Sequence, residues 1–182
     1  MNFQVGLLAL LLGFQAQASL VLELSGSSIS DSISSNSAAS NNESLVFGAA
    51  YFEVYKTLWA GWSYLSIYQS ESGGAKETFQ TADTGPAIKY FIGKSEIFSV
   101  FGGYGVLAQG SFQSGSSSST WSGTSLYGGV EVLPEIGSGW RAGVNLMSYT
   151  GTYTSSTTNK VQTNTGNSKT LLLPTMVITK QW

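Results

Sequence analysis

The chain has 182 residues, of which only 10% are Asp, Glu, Lys or Arg, against roughly 25% in an ordinary soluble protein. It contains no His and no Cys, which excludes Ser-His and Cys-His nucleophile pairs, His or Cys zinc sites, iron–sulfur clusters and disulfides. A net charge of -2, with 8 basic residues scattered from Lys56 to Lys180, provides no patch to neutralise a phosphate backbone, so nucleic acid is not expected as a partner.

Residues 1–18 read as a cleaved secretory signal peptide. The apolar stretch Val5 to Phe14 precedes Ala16-Gln17-Ala18, the small-residue pattern found before a cleavage site, although the first residues lack Lys or Arg. This is the longest apolar run, and it is too short for a helix spanning a bilayer. Residues 19–182 form the mature domain.

Beyond Ala18 the apolar residues recur every second position, in runs about ten residues long, which is the period of a strand with two unlike faces. Leu58 to Ser70, Ile97 to Gln113 and Gly139 to Tyr153 show this most clearly. Strands are expected near residues 19–28, 44–54, 58–70, 79–92, 97–112, 124–133, 139–153 and 170–182. Three connections are tight, at residues 55–57, 93–96 and 134–138. The others, at residues 29–43, 71–78, 113–123 and 154–169, are longer and polar. Long connections thus fall on one end and short ones on the other, the hairpin layout of a membrane-spanning barrel.

Centring the tight turns near residues 56, 95 and 136 couples neighbouring registers and assigns the faces. One face carries Val46, Ala50, Phe52, Val54, Leu58, Ala60, Trp62 and Tyr64. It continues with Ile88, Tyr90, Ile92, Phe98, Val100, Tyr104 and Val106, then Leu126, Val130, Val132, Trp140, Ala142, Val144 and Leu146, and holds no charge. The opposite face carries Glu23, Glu53, Lys89, Glu131 and Arg141, read as a barrel-interior charge network. A Lys or Arg facing lipid at the bilayer midplane would cost roughly 2–4 kcal/mol. With the turn at residue 136, Glu131 and Arg141 lie directly opposite one another and are expected to form an ion pair.

With its eight alternating strands, its short and long connections and its ending LLLPTMVITKQW, the mature chain resembles the small eight-stranded outer-membrane proteins of Gram-negative bacteria, the group that includes the OmpX and OmpW types and the OmpA transmembrane domain. The resemblance implies an all-β, eight-stranded antiparallel up-and-down transmembrane β-barrel. Its loops would be extracellular, and its termini and short turns periplasmic. It also implies that Trp182, Ile178 and Met176 form the signal read by the barrel-assembly machinery during biogenesis. Lys180 departs from that pattern and is expected at the rim, where a long side chain reaches the headgroups. Pro86 and Pro174 lack a ladder donor and are expected at bulges or strand ends. Enzymes of this architecture resemble His-dependent catalysts, and this chain has no His to match them.

The remaining features favour structure over chemistry. Gly102-Gly103-Tyr104-Gly105 lacks the following helix of a phosphate loop and reads as small residues in a crowded wall. Trp62, Tyr64, Tyr104 and Trp140 read as membrane-interface aromatics. Trp121, within a Ser-rich tract, reads as a headgroup anchor for its loop or a stacking surface for a contact. The loops lack acidic clusters, and no metal or other cofactor is expected. Eight strands enclose a lumen that side chains can fill. The expected function is therefore a non-enzymatic integral outer-membrane barrel that contributes to envelope structure, displays Ser/Thr-rich loops for surface interaction, and has lipid and lipopolysaccharide as neighbours. The alternatives are a narrow channel for small or hydrophobic solutes and a secreted β-barrel or β-sandwich binding protein.

Overall fold

A computed structural model describes residues 19–33, 39–72, 77–158 and 161–182; the expected signal peptide lies outside the described residues. The two-residue alternation builds β1 (Leu20–Ile33), β2 (Ala39–Tyr55), β3 (Leu58–Ser72), β4 (Glu77–Ile92), β5 (Phe98–Ser114), β6 (Ser117–Val132), a short β7 (Glu135–Gly137), β8 (Trp140–Thr158) and β9 (Val161–Gln181). Each long strand pairs antiparallel with the next, β6 pairs with β8, and β1 returns to pair with β9. The eight long strands therefore close into a ring in up-and-down order, while β7 continues β6 and folds against the start of β8, pairing Glu135 with Arg141.

Closure is the shortest ladder between the long strands. It runs from Val21↔Gln181 to Gly26↔Met176, and Pro174, which has no N–H to donate, lies two residues beyond its end. At the other end, Trp182 N donates to Leu20 O at 3.0 Å and Leu20 N to Trp182 O at 3.3 Å. Pro86 sits where the β4–β5 ladder jumps from Thr84↔Leu107 to Ala87↔Gly103, opposite an extra residue in β5. Both prolines thus occupy breaks in the pairing on one side.

The tracts read from sequence as long loops are mostly strand. Ser114 pairs with Ser117 around Gly115, Thr158 pairs with Val161, and Ile33 pairs with Ala39. Polar composition hid this, because both faces of a strand that extends past the apolar belt can be solvated, which removes the alternation that marks a half-buried strand.

Two tight turns have the expected centres, with Phe52↔Ala60 around Lys56 and Ile92↔Phe98 around Ser95. The third does not. Val132↔Val144 places its centre at Ser138 and not Ile136, where Gly137, Ser138 and Gly139 have φ of 128°, 52° and 76°. Three consecutive left-handed residues make this the reversal point.

The outward register carries Leu22, Val46, Trp62, Ile88, Phe98, Leu126, Val144 and Met176, all exposed. Among the described strand residues, Lys180 is the charged side chain on that register. Inside, Phe47, Phe101 and Tyr127 pack as a ring cluster with centroids 5.5–6.5 Å apart. Leu45, Leu65, Ile67, Met147 and Leu173 surround it with at most 1% of their surface exposed.

The wall itself leaves little space where β6 and β8 converge above their turn. A Cβ added at Gly143 would run into the Val132 carbonyl oxygen and lie 3.3 Å from Leu133 Cα. Gly143→Ala is expected to cost about 1–3 kcal/mol through forced displacement of the backbone. Gly48→Ala, whose methyl would meet only Glu23 O at 3.8 Å, is expected to stay within about 0.5 kcal/mol. Urea unfolding followed by the gel-mobility shift of the folded barrel separates the two.

Candidate functional site

The inward positions of β1, β4, β5 and β6 converge on one buried charge cluster. Lys89 Nζ donates to Glu23 Oε2 and lies 2.5 Å from Glu131 Oε2. Ser99 Oγ donates to the same Glu131 oxygen at 2.5 Å. Glu23, Lys89, Ser99 and Glu131 are all at most 4% exposed. The ammonium also lies 5.8 Å from the Tyr51 ring centre and 5.5 Å from that of Phe91, so its remaining surroundings are aromatic faces. Two carboxylates facing one ammonium keep each charge within reach of an opposite one, a condition for burying any of them.

Arg141 stands apart from this cluster. Nη2 donates to Glu96 Oε2 at 3.0 Å, Nη1 donates to Glu96 O at 2.8 Å, and the guanidinium lies 5.6 Å from the Phe91 ring centre. The expected Glu131–Arg141 pair is therefore corrected. Glu131 faces Asn145, and Arg141 faces Glu135 and Thr179. Moving the turn centre by two residues shifts every partner by four and leaves the face unchanged. Glu53 is corrected as well: it has the inward register, but it is exposed at the turn end beside the irregularity between Glu53 and Tyr55. It makes none of the ion pairs found among the described residues.

Ser99 and Asp83, buried in the interior, and Glu96, half-buried at the turn end as the partner of Arg141, were missed from sequence. Ser99 and Asp83 share the inward parity of their strands, so the signal was present; Glu96 lies in a turn, where parity carries no information. The glycine run of β5 has a packing role. A Cβ at Gly103 would strike the Tyr127 hydroxyl, which shares a hydrogen bond with Ser63 Oγ.

The aromatic residues divide by position. Trp140 lies beside the third turn, while Tyr64 and Tyr104 lie farther up the outward register and Trp62 one step below Tyr64, donating to Thr84 Oγ1 at 2.7 Å. All four are exposed. Trp121 is neither a loop anchor nor an exposed stacking surface. It lies on β6 facing inward, stacked on Phe112 at 5.3 Å and 14°, with Tyr153 at 5.4 Å and Phe79 at 6.1 Å.

At the chain end, Met176, Ile178 and Trp182 are exposed on the outward register. Lys180 turns to the rim. Its ammonium donates to Ser138 O and lies 5.6 Å from the Trp140 ring centre and 5.3 Å from that of Trp182.

No established family pattern matches the chain, and no curated protein matches it in sequence. Solved structures are similar to it to different degrees, and the likeness of fold rests on the first of those that follow. Neisserial surface protein A has a TM-score of 0.50 at 15% identity, over 89% of this chain and 96% of that one. The translocator domain of the autotransporter NalP from Neisseria meningitidis has a TM-score of 0.45 at 12% identity, over 95% and 63%. OmpT, an outer membrane protein of Vibrio cholerae, has a TM-score of 0.32 at 13% identity, over 90% and 52%. The fold is an eight-stranded antiparallel β-barrel of the outer-membrane type.

The geometry predicts a specific pattern of coupling. Lys89→Met strands two buried carboxylates and is expected to cost about 3–5 kcal/mol. A double-mutant cycle joining Glu131 to Lys89 should give a coupling of about 1–3 kcal/mol, whereas one joining Glu131 to Arg141 should stay within about 0.5 kcal/mol. Equal couplings in the two cycles would restore the rejected pair.

Proposed function

We propose that this chain is a non-enzymatic integral barrel of the outer membrane that contributes to envelope structure. The observation that carries the reading is the pairing of an apolar outward belt with a filled interior. Leu24, Val54, Ile88, Leu126, Val130 and Met176 are each more than half exposed, an arrangement that is unfavourable in water and favourable in lipid. A secreted β-sandwich or binding barrel would turn these residues inward.

The interior argues against a wide pore. The buried Lys89 cluster, the Phe47–Phe101–Tyr127 rings and the Phe79–Phe112–Trp121–Tyr153 rings fill successive levels of the lumen. The same burial argues against catalysis, because the Glu23 and Glu131 carboxylates are closed to any substrate. Lipid and lipopolysaccharide would contact the outward belt, with Trp62, Tyr64, Tyr104 and Trp140 near its margins. The extended Ser/Thr-rich hairpins would stand on the extracellular side, and the short turns and both ends of the mature chain on the periplasmic side. In that position the hairpins would be the surface offered to an external ligand.

Fractionation and bilayer recording test this. The protein is expected in the outer-membrane fraction, with heat-modifiable migration and a silent planar bilayer. Release without detergent would overturn the membrane reading, and steady unitary conductance would replace the structural reading with the channel. Deleting Trp182 removes both hydrogen bonds that it exchanges with Leu20 and the last outward aromatic. Barrel-assembly machinery is expected to insert that variant several-fold less efficiently, and unchanged insertion would dismiss Trp182, Ile178 and Met176 as the assembly signal.

A further inference from the structure

The outer wall carries a furrow across the closing seam, lined by two successive rows of outward residues. Ala142, Ile178 and Leu24 pair across β8, β9 and β1 in the first row, and Val144, Met176, Gly26 and Val46 across β8, β9, β1 and β2 in the second. Leu24, Val46, Val144 and Met176 each expose more than half of their surface. Gly26 and Ala142 have little or no side chain, so the wall is indented between neighbours that stand out. The furrow measures about 740 Å³, and no charged residue lines it. That volume suits a small ligand.

A hydrocarbon chain fits this lining, and the furrow is continuous with the apolar belt that an outer-membrane barrel turns to lipid. The row below distinguishes it from the rest of the belt. There Trp140, Lys180 and Leu22 pair across the same three strands, which places Lys180 one outward step from Ile178, about 7 Å along β9. Lys180 enters none of the ion pairs found among the described residues. Its ammonium donates to Ser138 O between the Trp140 and Trp182 rings and, with three protons, keeps donors for an anion. A cation at the rim, followed by an uncharged furrow leading into the belt, matches a phosphate followed by an acyl chain.

We propose that the seam binds one phospholipid, with its phosphate on Lys180 and an acyl chain in the furrow. Such a site rests on the membrane reading given above, since the furrow meets hydrocarbon only there. Lys180 supplies a single positive charge, which suits one phosphate and falls short of the several phosphates of a lipopolysaccharide. The furrow reaches Gly26↔Met176, the last pair of the closing ladder, so the bound chain would brace the seam where its pairing stops.

The test uses the barrel purified from membranes in mild detergent, stripped of lipid, and titrated with dioleoylphosphatidylglycerol or with dioleoylglycerol, which has the same chains and no phosphate. Native mass spectrometry is expected to show one phospholipid per barrel, bound about tenfold more weakly by Lys180→Gln and recovered in Lys180→Arg. Dioleoylglycerol is expected to bind more weakly than the phospholipid and to ignore both changes. Ala142→Phe, which fills the furrow, should release both lipids, whereas Val130→Phe, outward on β6, should release neither. Heat-modifiable migration reports the folding of each variant, and Val46→Phe takes the place of Ala142→Phe should that variant fail to fold. Phospholipid retention that is equal in the wild type, Lys180→Gln and the furrow-filling variant overturns the site, as does a second copy of the chain or a lipopolysaccharide held there instead. Release of the wild type from cells without detergent would overturn the membrane reading itself.

Discussion

Everything in this barrel follows from closing β1 onto β9. A sheet that closes has no free edge, so each strand must satisfy its backbone from its two neighbours and its side chains must divide strictly into an inward and an outward set. The closing ladder is the shortest of the ring, bounded by Pro174 on one side and extended on the other by the Leu20–Trp182 exchange. The residues that hold the ring shut are consequently Leu20 to Gly26 and Met176 to Trp182, and closure requires both segments to be in place.

Closure also determines what the interior can hold. Eight strands leave room for side chains and little else, so each inward position must be filled by its neighbours across the lumen. Lys89 reaches Glu23 on β1 and Glu131 on β6, elements that are not adjacent to β4 in the wall. This cross-lumen contact ties distant strands together as no ladder hydrogen bond can. Removing the central ammonium would leave its two partners stranded in a low-dielectric core, which is why such a brace is stable when complete and costly when broken.

The face of each strand was legible in the sequence because parity survives any even error in a turn. Placing the third turn at Ile136 in place of Ser138 left Glu131 and Arg141 on the correct side and gave each the wrong partner. Partners depend on register, and register there depends on three left-handed residues, one of them a Ser that composition does not mark. The Ser/Thr tracts were misread for the opposite reason: beyond the apolar belt neither face needs to be apolar, so the strand continues without its signature. Trp121 shows the consequence, since its place in a Ser-rich tract suggested a loop while its strand parity directs it into the ring cluster with Phe79, Phe112 and Tyr153. Asp83 was readable by parity from Lys89, six residues away on the same strand. That it enters none of the ion pairs found among the described residues was not readable, because that is a property of the assembled lumen.

The two ends of the apolar belt finish by different physics, and that gives the molecule a direction. At the turn end the chain reverses within a few residues, using left-handed positions, and the outward Lys180 ammonium is drawn to Ser138 O between two indole rings. Apolar surface, aromatic edge and charge therefore succeed one another over a single turn. At the far end the ladder continues through Ser, Thr and Gln while the partly buried rings of Trp121 and Phe112 stack on the inward face. Backbone pairing there persists without apolar burial on the outer face, so this end can lengthen or change in sequence without disturbing the belt, whereas the turn end is constrained by the registers of every strand it joins.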